Sequence, residues 1–277
     1  MEDLTKLEPL WDELGGEVSI WLGRPGSRVV YERDADQGHY PASTMKIGVM
    51  AAAYRLADAG RLDLDAEIPV HSEFTSAVGG TFSMDRGYDS DSHVWDRVGQ
   101  TAPLRWLIRR MIVRSSNLAT NLVLEQTGYS AAQEAYRLGD DTRSITRRGI
   151  EDYAARDAGV DNEVTARDLA RQLSAIELGE MASAEACAEM LDVLKAQELN
   201  EDFARGLPDG VPLALKNGWI EGIRHSAAIV YPEDAPSYVL VACASTPKAH
   251  SDSGDDDVCR GFAQLSRVVW EARHRLG

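Results

Sequence analysis

A chain of 277 residues is long enough to bury a sizeable core, as one domain or as two that share a cleft. With 45 acidic against 29 basic residues its net charge is −16, which sets it against nucleic-acid phosphates and anionic membrane surfaces and leaves a small molecule as the expected partner. Cys187, Cys243 and Cys259 are too scattered for a disulfide framework or a metal site, the acidic start carries no export signal, and no apolar run approaches a membrane span; the expectation is a cytoplasmic protein without metal or cofactor.

In chain order, "LTKLEPLWDEL" has helical spacing, and "EVSIWLG" and "SRVVYERDA" alternate like two strands around the turn "RPGS". Helical patterns follow from Ser43 to Ala59, in "PLRWLIRRMIVRSSNLATNLVLEQTG", in "TARDLARQLSAIEL" and in "AEACAEMLDVLKAQ". The Gly-, Ser- and Asp-rich stretch 71–103 reads as surface loop, and "SDSGDDD" at 251–257 as a turn. "LALKNG", "IRHSAAIVY" and "SYVLVACAST" are strand-like, and "CRGFAQLSRVVWEARHRL" closes the chain as a helix. Strands at both ends with helices between them predict an α+β fold. In it, one antiparallel sheet is assembled from both termini, flanked by the terminal helices, and a helical subdomain is inserted. The boundaries expected are 1–40 with about 205–277 for the α/β part and about 41–204 for the helical part, with a cleft where they meet.

Three short motifs carry chemistry. In "PASTMKIG", Ser43 and Lys46 stand one helical turn apart at a helix start, where unpaired N–H groups and the helix dipole favour an alkoxide, and a desolvated lysine makes a base. A helix cap beside a surface lysine fits the same spacing. Ser115-Ser116-Asn117 lies at the junction of two helical runs, as a cleft-lining pair or an ordinary cap, and Lys216-Asn217-Gly218 closes a strand, as a site or an Asn-Gly turn.

Together and in this order the three resemble the signature set of serine β-lactamases and penicillin-binding proteins, Ser-x-x-Lys, Ser-Asp-Asn and Lys-Thr-Gly, closest to class A-type enzymes and spanning most of the chain. The resemblance implies a serine hydrolase acting through an acyl-enzyme on a small amide or ester, such as a β-lactam. It implies Ser43 as nucleophile, Lys46 as its base, Ser115 as proton relay and Lys216 as the cation beside it. Asn117, Asn217, Gly218 and Trp219 then bind substrate, with the N–H groups of Ser43 and Trp219 as oxyanion donors. Arg224, counted back from Pro232, matches an arginine that binds a substrate carboxylate, although an arginine paired with a structural acid fits equally. His225 reads as a satisfied sheet histidine.

The sequence also departs from that pattern. Ser116 replaces the aspartate, Asn217 a hydroxyl residue and Trp219 a small one, and the segment "TRRGIEDYAARDAGVDNEVTARDLA" lacks the Glu-x-x-Leu-Asn of the family's omega loop. Glu151 and Asp152 are candidate deacylating bases within it, and Asp157 is a further acid; without a positioned base the acyl-enzyme accumulates. The same nucleophile also suits a cytoplasmic peptidase, amidase or esterase, or a slowly deacylating β-lactam-binding protein.

Overall fold

The alternating and apolar runs become strands. In a computed structural model, which describes residues 2–251 and 254–276, β1 (Glu17–Gly23) and β2 (Val29–Arg33) come from the N-terminal part. The C-terminal part supplies β3 (Leu213–Ile220), β4 (Ile223–Val230) and β5 (Tyr238–Ser245). They form one antiparallel sheet in the order β2-β1-β5-β4-β3. Pairing β1 with β5, from Glu17 opposite Ser245 to Gly23 opposite Val239, satisfies an edge that each half alone would leave open.

Both faces of this sheet are covered, so β4 and β5 are buried almost end to end; β5 reads in sequence as a near-continuous apolar run, whereas β4 carries the polar run Arg224, His225 and Ser226 ahead of its apolar half. On one face Ile20, Leu22, Leu215, Val230 and Leu240 pack with Trp11 and Leu14 of α1 (Glu8–Leu14) and with Phe262, Leu265 and Val269 near the C-terminus. On the other, Ala214, Ala227, Ile229, Val239 and Val241 meet the helical part. That part contains α2 (Lys46–Asp58), α3 (Leu104–Val113), α4 (Asn117–Thr127), α5 (Ala166–Glu177) and α6 (Ala184–Lys195); α7 (Asp257–Glu271) ends the fold. Side-chain caps start four of these helices: Ser116 for α4, Thr165 for α5, Ser183 for α6 and Asp256 for α7.

Three local expectations change. The helix read from Ser43 begins instead as a 3₁₀ turn, Ala42–Met45, because Ala42 takes a left-handed φ of +44° after Pro41, and regular α-helix starts only at Lys46. Asn217-Gly218 is not a turn: β3 runs on to Ile220, and the hairpin closes at Glu221 and Gly222, whose φ is +80°. The stretch 71–103 is not all loop, since Glu73–Thr75 pairs with Thr81–Ser83 and Thr101–Pro103 with Glu67–Pro69. The turn read in "SDSGDDD" lies partly outside the described residues. Among the described residues no helix is long and apolar enough to cross a membrane.

Candidate active site

The turn that carries Ser43 is held from two sides. Thr44 Oγ1 donates to the Pro41 carbonyl at 2.6 Å; His225 Nδ1 accepts the Ala244 N–H at 3.2 Å, which leaves the ring proton on Nε2, 2.8 Å from the Tyr40 carbonyl. Burial holds the His225 imidazole down to about 4, which keeps it neutral; it is the satisfied sheet histidine expected. The third constraint is Gly218 of β3, where a Cβ would stand 2.6 Å from the Ser43 nitrogen and 3.1 Å from Ala42 Cβ. Only a residue without a side chain lets the edge strand pass this close to the serine. Ser43 itself is partly exposed at a cleft of about 640 Å³, also lined by Ser115, Asn117, Glu151 and Trp219.

Behind Ser43 lie two fully buried lysines. Lys46 Nζ donates to the Ser115 carbonyl at 2.7 Å, to Ser115 Oγ at 3.2 Å and to Asn117 Oδ1 at 2.9 Å. Lys216 Nζ donates to the same Ser115 Oγ at 3.1 Å and to the Asn217 carbonyl at 2.7 Å. One hydroxyl thus joins both amines. Desolvation lowers the Lys46 amine to about 7, opposed by the nearby Asp89 carboxylate. Burial and the neighbouring Lys46 push Lys216 down as well, since two ammonium ions cannot share so dry a site. Ser115 reaches both because its own φ is +56°, a conformation that kinks the chain between α3 and α4. Among the described residues no hydrogen bond ties Lys46 to the Ser43 hydroxyl.

The register of β3 aims one more donor. Tyr231 N–H bonds the Pro212 carbonyl, and the unbroken pairing with β4 makes every second pair, down to Ile220 with Ile223, a hydrogen-bonded one. Trp219, opposite Arg224, falls in the alternate class. Its N–H therefore points away from β4, off the outer edge of the sheet.

The two candidate bases separate clearly. Asp152 is saturated: Oδ1 accepts Ser76 Oγ–H at 2.8 Å and Ala155 N–H at 3.2 Å, and Oδ2 accepts Ala77 N–H at 2.8 Å. It caps a short helix and does not line the cleft. Glu151 does line it; Oε2 accepts Asp85 N–H at 2.9 Å, while the buried Oε1 has no hydrogen-bond partner. Burial raises its carboxyl above the ordinary range, with Asp89 and Asp85 adding to the effect and the Asp85 N–H opposing it. Glu151 also holds a left-handed φ of +63°. The surrounding segment closes into a loop because Arg148 Nε bonds Asp161 Oδ1 at 2.9 Å, while Asn162 Oδ1 takes the N–H groups of Arg147 and Arg148. Asp157 lies on the exposed surface, paired with Arg156.

Two expected substrate-binding side chains lie elsewhere. Lys216 and Gly218 share the sheet face toward the helical part, so strand alternation turns Asn217 to the opposite face, where it donates to the Leu199 carbonyl at 2.9 Å. Arg224 pairs with Trp219 and shares that face; it is buried, donating to the His250 carbonyl at 2.9 Å and lying 3.3 Å from Asp256, the cap of α7. Of the alternatives read from sequence, the ion pair with a structural acid is the one seen. Sequence reading missed Tyr40, Tyr88, Asp89 and Tyr153, which also line the cleft. Tyr88 and Asp89 sit in "RGYDSDS", whose composition signals only a turn. Among the described residues no cluster of three or more His, Cys, Asp or Glu is placed to hold a metal ion.

A family model described as the Beta-lactamase enzyme family matches residues 2–272. A curated Beta-lactamase of Rhodobacter capsulatus is 24% identical over 253 residues, covering 90% of this chain and 80% of the relative. The crystal structure of a beta-lactamase from Sphaerobacter thermophilus superposes with a TM-score of 0.80 at 22% identity, over 98% of this chain and 97% of the other. PBP-A does so with 0.81 at 18% identity, over 99% and 97%. A single-residue mutant of PBP-A, solved as an acyl-enzyme complex with penicillin G, gives 0.79 at 19% identity over 99% and 97%. These structures show a shared fold.

Proposed function

Since the chain belongs to the beta-lactamase enzyme family, we propose that it is a serine hydrolase that opens β-lactam rings through an acyl-enzyme on Ser43. The observation that carries the reading is the Ser115 hydroxyl held between Lys46 and Lys216 beside the partly exposed Ser43. Neutral Lys46 takes the Ser43 hydroxyl proton, a contact that tightens when substrate fills the cleft. The oxygen attacks the lactam carbonyl, and the Ser43 and Trp219 N–H groups receive the charge that develops on its oxygen. The C–N bond breaks as Ser115 gives its proton to the leaving nitrogen and is resupplied from the lysines. Asn117, fixed through Lys46 and the Tyr88 carbonyl, positions the substrate.

Deacylation is assigned to Glu151 rather than Asp152, because only Glu151 keeps a carboxylate oxygen without a structural partner at the cleft. It takes a proton from water, whose oxygen attacks the ester carbonyl; the acyl C–O bond breaks, and the proton is passed on through Lys46 to the Ser43 oxygen, which restores the hydroxyl and the free carboxylate. This favours turnover over permanent trapping of the acyl group. A second substrate class is supported by Arg224: with its guanidinium held against Asp256 outside the cleft, uncharged amides and esters fit as well as carboxylates do. Hydrolysis of nitrocefin and of neutral p-nitrophenyl esters, each against Ser43→Ala, tests the reading. Serine-dependent turnover of nitrocefin supports the β-lactam reading, serine-dependent turnover of the esters alone supports the second substrate class in its place, and equal turnover by the variant overturns both.

A further inference from the structure

The site depends on a turn that does not hold itself. Ser115 carries a positive φ between two helices, and the residue after it, where the resembled motif has an aspartate, is Ser116. Ser116 Oγ accepts Ala119 N–H at 3.1 Å as the cap of α4 and donates to Asp89 Oδ2 at 3.2 Å. That same oxygen accepts Leu118 N–H, in the first turn of α4, at 2.8 Å, and the Trp95 indole N–H at 3.0 Å. The carboxylate therefore sits on the positive end of α4, although it comes from a loop 27 positions earlier in the chain.

The rest of that loop grips the neighbouring pieces. Asp89 Oδ1 takes Asp91 N–H at 3.0 Å, and the buried Asp91 receives Arg110 of α3 on both oxygens. The Tyr88 carbonyl accepts Asn117 Nδ2 at 3.1 Å, and Asp85 N–H bonds Glu151. Residues 85–91 thus link the helix before Ser115, the helix after it and the candidate deacylating base.

We propose that Asp89 is a positioning residue of the acylation site: its carboxylate, delivered from the 85–91 loop, holds the Ser115–Asn117 turn against Lys46 and Lys216 in place of the carboxylate that the motif's middle residue lacks. The inference rests on the acyl-enzyme reading above. Removing the carboxylate leaves the Ser116, Leu118 and Trp95 donors to be rematched, and a small shift of Ser115 Oγ from the two amines slows proton transfer. It also alters charge. Lys46 faces Lys216 across Ser115 Oγ and feels the Asp89 charge; Asp89 and Asp85 act in turn on Glu151, and Asp202 acts on Lys216. Asp89 is the anion that favours the Lys46 ammonium, so its loss lets the neutral amine persist to lower pH.

The test follows the acylation burst with nitrocefin or a p-nitrophenyl ester, together with thermal midpoints, in the wild type, Asp89→Asn, Asp89→Ser and the exchange Asp89→Ser/Ser116→Asp. Asp89→Ser slows acylation about 10- to 100-fold, in kcat more than in KM. The exchange, which returns a carboxylate to the start of α4, recovers most of the loss. Asp89→Asn moves the acid limb of acylation to lower pH. Asp89 variants with wild-type rates and an unmoved limb overturn the proposal, as does a folded exchange variant no faster than Asp89→Ser. Should Asp89→Ser fail to fold, the exchange and Asp89→Asn decide. A wild type that forms no adduct on Ser43 instead removes the serine reading and this inference with it.

Discussion

An amine buried among a carbonyl, a hydroxyl and an amide oxygen is polar enough to stay in place and dry enough to lose its proton near neutrality, which is what a base for a serine hydroxyl requires. With the Lys46 amine at about 7, the acylation kcat/KM rises with pH through a limb near that value, because only the neutral form accepts the proton. Stability follows the same group: its folded pKa lies below the ordinary 10.5, so the unfolded chain binds more protons between those values and this contribution grows as pH rises through the window. The two candidate bases of the 148–161 segment, Glu151 and Asp152, are expected to behave oppositely. Glu151→Gln slows deacylation by about 100- to 10,000-fold and turns steady nitrocefin turnover into a burst. Asp152→Asn lowers the thermal midpoint through its bonds to Ser76, Ala77 and Ala155 without such a burst. At this scale the grouping of Lys46, Ser115 and Lys216 beside Ser43 was legible only from three short motifs taken together, since each motif alone also fits a helix cap or a turn. Asp89 and the true partner of Arg224 were not, since each interaction joins positions far apart in sequence, 89 to 118 and 224 to 256.

The edge strand β3 matters as an element because it delivers Lys216, the Gly218 gap and the outward Trp219 N–H within four positions. Gly218→Ala sets a methyl against the backbone of the Ser43 turn, so acylation falls by roughly an order of magnitude or more while β3 still pairs with β4, a loss read in burst kinetics alongside circular dichroism. Strand periodicity and helix caps made most elements visible in sequence, and their boundaries moved only where backbone conformation overrode pattern. The left-handed Ala42 delays α2, and Gly218, which looks like a turn residue, serves instead as the point of closest approach.

Across the whole molecule the candidate site residues Lys216 and Gly218 face the helical part, and much of the packing that supports the sheet lies on its other face. Trp11 is buried in the cluster of α1, β1 and α7, on the face opposite Lys216. Trp11→Ala costs about 3–5 kcal/mol of stability. The pH profile of the folded fraction stays unchanged, as denaturant melts and activity per folded molecule will show. The sheet built from both termini was readable from the order of strand and helix patterns, whereas the side of the sheet on which each polar residue falls became visible only once register was fixed. The chemistry proposed for this fold is covalent: the Ser43 hydroxyl becomes an ester. Its most direct test is the intact mass of the protein quenched early after mixing with penicillin G, followed by peptide mapping. The expected result is a mass increase of one penicillin on the peptide containing Ser43, absent from Ser43→Ala. An adduct that survives in that variant, or no adduct from penicillin or any activated ester, contradicts it.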